Sequence, residues 1–145
     1  MSQILLIFNL IFSFHSIPSD NRRDMVINIA KLKDTGHDIY IAVCRKSDNF
    51  PANPDAVKTM MINPSGKDFV NVSFPDIPYG KYAIMIYQDL NGNKKLDKGF
   101  LGIPKEPFAF SNNVHPMFGP PSWKDCEIEY NSVSYRFQIN GCIKL

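Results

Sequence analysis

From Asp20 onward the dominant hydrophobic period is two, the repeat of a strand with one buried face, and no helical period is sustained over three turns. Met25, Ile27 and Ile29 alternate with Val26, Asn28 and Ala30. The cluster Asp34-Thr35-Gly36-His37 supplies a turn, after which Ile39, Ile41 and Val43 resume the alternation. Ala56 to Ile62 reads as a third strand, closed by Asn63-Pro64-Ser65-Gly66. Val70, Val72 and Phe74 form a fourth, with Asn71 and Ser73 on its polar side. Ile77-Pro78-Tyr79-Gly80 places proline and glycine where a type I turn favours them. Lys81 to Gln88 is apolar on both faces, with Tyr82, Ile84 and Ile86 on one and Ala83, Met85 and Tyr87 on the other. Such a strand belongs in the middle of a sheet covered on both sides.

Near the end, Cys126, Ile128 and Tyr130 share one face, as do Val133, Tyr135, Phe137 and Ile139. Asn131-Ser132 between them suits a two-residue turn, so the pattern predicts a closing hairpin with Tyr130 opposite Val133. In that register Cys142 lies too far beyond Cys126 for a disulfide, which needs Cα atoms within about 7 Å. About seven short strands with turn punctuation predict an all-β, antiparallel sandwich.

The chain has 145 residues, enough for one domain with a real core. At 44% apolar and net charge +2, composition excludes disorder and gives no case for nucleic-acid binding. Residues 1–19 carry no Asp, Glu, Lys or Arg, and Ile4 to Phe14 is apolar apart from Asn9 and Ser13. That run is too short to span a membrane but suits the apolar core of a secretory signal. The expectation is a leader over 1–19, a single domain over 20–145 and no transmembrane segment in the mature chain. Location is then periplasmic, envelope-associated or secreted. Three cysteines, Cys44, Cys126 and Cys142, do not make a disulfide framework.

Between Gln88 and the final strands lie more than thirty residues with no strand signal but many glycines and prolines. Structureless segments of that length are uncommon in compact domains and usually functional. Phe100, Phe108, Phe110, Phe118 and Trp123 supply enough apolar area for an ordered cap packed over one end of the sandwich.

The cap opens with Asp89-Leu-Asn-Gly-Asn-Lys-Lys-Leu-Asp97. Oxygen side chains at Asp89, Asn91, Asn93 and Asp97 fall at the first, third, fifth and ninth places of a calcium loop, and Lys95 would offer its carbonyl at the seventh. Lys94 stands where such loops place glycine, and Phe100 where they place a bidentate glutamate. Two readings stay open: a weak calcium site, or a turn whose Asp and Asn side chains bond to nearby backbone N–H groups.

Three stretches carry a family resemblance: Phe74 to Asp97, Gly102 to Phe108, and Phe110 to Asn113. Together they resemble the bacterial domain-of-unknown-function family 2141, with weaker likeness in the first strands and in Gly119 to Trp123. The resemblance implies an exported protein with an immunoglobulin-like or transthyretin-like sandwich, and it brings no established activity. Gln88 stands where that family often has histidine before the aspartate. The Asp89–Asp97 element is also similar to calcium loops in the B repeats of Gram-positive surface adhesins.

Catalysis finds little support. Ser111 and His115 have no third orienting residue and no nucleophile-elbow motif, and no Cys or His pair has the usual zinc-ligand spacing. Binding is the better class. Phe108, Phe110, Asn112, Asn113 and Trp123 are the candidate surface for a glycan or extended peptide. The sequence therefore predicts an exported non-enzymatic binding module. A purely structural accessory domain and a hydrolase-like enzyme centred on the cap are the alternatives.

Overall fold

A computed structural model describes residues 21–116, 119–131 and 136–140. The described strands are β1 (Arg22–Ala30), β2 (Asp38–Arg45), β3 (Asp55–Ile62), β4 (Val70–Pro78), β5 (Gly80–Asp89), β6 (Phe108–Phe110), β7 (Ile128–Tyr130) and β8 (Arg136–Asn140). One four-residue helix, α1 (Trp123–Cys126), precedes β7. The architecture is an all-β sandwich. One sheet has the order β4-β1-β8, and the other has β3-β2-β5-β6, with β7 also on β5.

The alternating residues build the core between the sheets. Met25, Ile27 and Ile29 of β1 and Val72 and Phe74 of β4 meet Ile39, Ile41 and Val43 of β2 and Tyr82, Ile84 and Ile86 of β5. All are buried, and each side chain of this size contributes about 1.5–3 kcal/mol relative to exposure. β5 is central, as its two apolar faces require: β2 lies along one edge, and β6 and β7 divide the other.

Three expectations are corrected. The closing hairpin does not form. β7 pairs with the start of β5, with Tyr130 opposite Gly80, while β8 runs parallel to β1, with Phe137 opposite Ile27. The two strands thus belong to different sheets. The cysteine spacing drawn from that hairpin falls with it, although Cys44 and Cys126 are buried free thiols. Cys142 and the leader over 1–19 lie outside the described residues. Around Ile77-Pro78-Tyr79-Gly80 the chain likewise changes sheet, leaving β4 at Pro78 and entering β5 at Gly80.

The third correction concerns the cap. It covers the outer face of the five-stranded sheet, not an end of the sandwich. β6 adds to the edge of β5 with Phe110 opposite Met85 and Phe108 opposite Tyr87, so both phenyl rings sit on that outer face. They pack with Ala83, Cys126, Phe50, Tyr87, Val114 and Trp123 into a second apolar cluster. Ala109 between them points into the main core.

Candidate functional site

The long segment between β5 and β6 is ordered from its own polar groups. Asp89, 3% exposed at the end of β5, accepts from the backbone N–H of Asn93 at 3.1 Å and of Lys94 at 2.7 Å. Asn91 Oδ1 accepts from Asn93 N–H at 3.1 Å, and Asn93 Oδ1 from Lys95 N–H at 2.8 Å. Each side chain thereby replaces the water that a turning backbone amide would otherwise need. Lys94 takes a left-handed conformation at φ 62°, the geometry a glycine would adopt at this place.

The side chains of Asn91, Asn93 and Asp97 converge. Both amide groups donate to Asp97 Oδ2, at 2.6 Å from Asn91 and 3.0 Å from Asn93. Three of the four predicted metal-ligating side chains are therefore in one knot, and Asp89 is tied to it through the Asn93 N–H. Lys95 is exposed beside them, and its N–H closes the turn. Calcium would require oxygens, and here the nitrogens of both amides face the aspartate. Among the described residues, no three His, Cys, Asp or Glu side chains gather as a metal set.

A residue that the spacing pattern did not single out ties the loop together. Glu106, 4% exposed, accepts from Leu90 N–H at 2.9 Å and from Asp97 N–H at 3.0 Å, one bond per oxygen. It grips both ends of the loop at once. A single acid between Lys105 and Pro107 offers no periodic signal, which is why sequence reading passed over it.

Beyond Asp97 the chain makes a narrow hairpin. Lys98 bridges to Pro104, Gly99 N–H donates to the Ile103 carbonyl at 2.7 Å, and Lys105 N–H donates to the Asp97 carbonyl at 2.8 Å. A single 3-10 turn over Phe100–Gly102 forms its tip, with Gly102 at φ 74° where only glycine is unstrained. Phe100, expected to pack against the sandwich, is instead 88% exposed, and Ile103 is 49% exposed. Lys94 and Lys95 in the preceding loop, and Lys98 and Lys105 at the base of the hairpin, are all exposed.

The predicted aromatic-and-amide surface is distributed differently. Phe108 and Phe110 are 3% and 7% exposed, with ring centroids 5.8 Å apart, and they floor the second cluster. Phe50 stacks edge-on against both Phe110, at 6.3 Å, and Trp123, at 5.4 Å. Trp123 is half-buried, and its indole Nε1–H donates to Glu127 Oε2 at 2.6 Å. Asn112 is exposed, yet its amide donates to the carbonyls of Asp125 and Glu127 at 2.9 and 3.0 Å. Asn113 is half-buried beside it. The structure brings these five residues to one region, with the phenyl rings enclosed and the indole N–H and Asn112 amide bonded within the chain.

Charge around α1 is organised by the same bonds. Ser122 and Asp125 form a capping box, and hydrogen bonds from Ser122 hold the Asp125 carboxyl below its ordinary pKa. Lys81, donating at 2.7 Å, and Trp123 do the same for Glu127. Burial pushes the thiols of Cys44 and Cys126 up to about 12, so neither is a nucleophile at neutral pH. Ser111 is buried, accepting from Ile84 N–H at 3.0 Å and donating to the Cys126 carbonyl, while His115 is exposed. Gln88 is buried and donates to the Asp34 carbonyl.

These features define a class: an all-β sandwich with a cap folded over one sheet and a projecting hairpin. The chain belongs to the family described as "Uncharacterized protein conserved in bacteria" (DUF2141), whose model matches residues 27–136, from β1 to the start of β8. No curated protein and no solved structure matches it. No helix among the described residues is long and apolar enough to cross a membrane.

Proposed function

We propose that the protein is an exported, non-catalytic binding module of the bacterial envelope whose contact surface is the hairpin tip around Phe100. One observation carries this reading: a phenyl ring 88% exposed on a tip fixed by main-chain hydrogen bonds. A lone exposed apolar side chain is ordinary, but Phe100 shares its tip with Ile103, 49% exposed, and adjoining exposed apolar groups mark an interaction surface. The aromatic floor of the cap then serves as the rigid base from which the tip projects. The burial of Ser111, whose hydroxyl bonds only to main-chain groups, supports a non-catalytic role.

The test is co-sedimentation with isolated bacterial envelope fragments. The wild-type protein and Trp123→Ala should pellet together with the fragments, and Phe100→Ser should stay in the supernatant. Equal pelleting of Phe100→Ser would overturn the reading.

In this account the Asp89–Asp97 loop is a hydrogen-bonded strut. A second reading makes it a weak calcium site, in which Asn91 and Asn93 turn amide oxygens towards the cation. What speaks for it is only that the side chains of Asn91, Asn93 and Asp97 meet at one point; their present hydrogen bonds are those of the strut. Thermal unfolding in millimolar calcium against EDTA separates them. A cation at tenfold excess over its dissociation constant stabilises by about 1.4 kcal/mol, whereas the strut predicts no shift.

A further inference from the structure

We infer that the partner of the tip is an anionic lipid surface, into which Phe100 and Ile103 insert while the exposed lysines of the loop and hairpin base hold the headgroups. This rests on the tip being the contact surface, and it adds the class of partner. Two independent features point the same way. The first is the exposed apolar pair, Phe100 and Ile103, on the tip of a short hydrogen-bonded hairpin. Backbone N–H groups at Gly99, Gly102 and Ile103 are bonded to carbonyls within the tip, which fixes how the apolar pair is presented.

The second is the sorting of charge. Between Asp89 and Glu106 the chain has three carboxylates and four lysines. All three carboxylates turn inward: Asp89 and Glu106 are buried on backbone N–H groups, and Asp97 is half-buried under two amides. The lysines Lys94, Lys95, Lys98 and Lys105 all face solvent. A segment nearly neutral in sequence thus presents an outer surface that is positive, in a protein of net charge only +2. An apolar tip with lysines on the loop and hairpin base beneath it is the pattern of a peripheral contact with acidic headgroups, each lysine near the surface strengthening binding about fivefold. A neutral glycan would give the lysines no role.

Vesicle co-sedimentation tests this, using phosphatidylcholine alone and phosphatidylcholine with 30% phosphatidylglycerol. The purified wild-type protein should bind the anionic vesicles at least tenfold more tightly than the neutral ones and release in high salt. Phe100→Ser should lose at least tenfold in affinity, and Lys95→Gln/Lys98→Gln should lose about as much together with most of the salt dependence. All of these residues are exposed, so the variants should unfold at the wild-type temperature. Equal binding to both vesicle types, or equal binding by Phe100→Ser, would overturn the inference. Failure to bind vesicles, with envelope fragments still lost on Phe100→Ser, would also overturn it and would leave the tip with a protein or glycan partner. Envelope binding unchanged by Phe100→Ser would sink the tip reading itself.

Discussion

Glu106 accepts a hydrogen bond from the backbone N–H of Asp97 at 3.0 Å, across a loop whose other end it holds through Leu90. Because the carboxylate is buried, neither N–H has water as a substitute. Glu106→Gln keeps the shape but faces one of the two N–H groups with an amide donor. An unsatisfied buried donor costs about 1–3 kcal/mol. Thermal unfolding should fall accordingly, and amide exchange at Leu90 and Asp97 should accelerate before exchange in β5 does. An unchanged midpoint with unchanged exchange would show that the loop is held some other way.

Ser111 sets a second such prediction. On the free edge of β5, β6 ends opposite Met85 and β7 begins opposite Tyr82. Ile84 falls in the gap, and the Ser111 hydroxyl bridges its N–H to the Cys126 carbonyl. Ser111→Ala leaves both groups buried and unpaired, so it should destabilise by about 2 kcal/mol or more. Ser111→Thr keeps the hydroxyl and should recover part of the loss. Denaturant unfolding of the two variants measures it, and an equal loss in both would mean that volume, not the bridge, matters.

Lys94 makes the opposite prediction. A side chain at φ 62° bears about 1–2 kcal/mol of backbone strain, while glycine costs roughly 0.5–1 kcal/mol in chain entropy. Lys94→Gly should therefore stabilise by about 0.5–1 kcal/mol, seen as a rise of about 2–5 °C in melting temperature. A fall would show that the lysine side chain contributes more than its backbone costs.

Asp125 and Glu127 set the acid response of the cap. Both carboxyls are held below their ordinary pKa, Asp125 by Ser122 and Glu127 by Lys81 and Trp123. A depressed folded pKa means that the stabilisation is complete above the unfolded value and is lost as pH falls through the folded one. The anchoring of α1 should hold from neutral pH down through the ordinary carboxylate range and loosen below it. Trp123, the single tryptophan, reports this through its fluorescence. Its emission should shift in acid, and in Glu127→Gln the neutral-pH spectrum should already resemble the acid one.

What the sequence made legible follows from the range of the forces involved. The alternation in β1, β2, β4 and β5 records one buried face per strand, and the matching core residues were readable directly. Asp89, Asn91 and Asn93 bond to amides only two to five residues away, so their turn-forming role was visible in the spacing as one of two readings. β6 was not visible, because Phe108-Ala109-Phe110 is three residues long and buried throughout, leaving no polar side to alternate. β7 and β8 were misjoined because turn chemistry at Asn131-Ser132 is local, whereas the choice of partner is made by the open edges of β5 and β1. Glu106 and Phe100 escaped for the same reason. One acts on a residue sixteen positions away, and the other gave no sign that it would face outward.

The most direct test of the central claim places a photoreactive benzophenone side chain at position 100 and, separately, at Phe69. Phe69 is a second exposed phenylalanine, 52% exposed just before β4 and outside the cap. After irradiation of each purified protein mixed with envelope fragments, the tip variant should form lipid or protein adducts, and the Phe69 variant should remain unmodified. Adducts at both positions alike, or at position 69 alone, would contradict the assignment of the Phe100 tip as the contact surface.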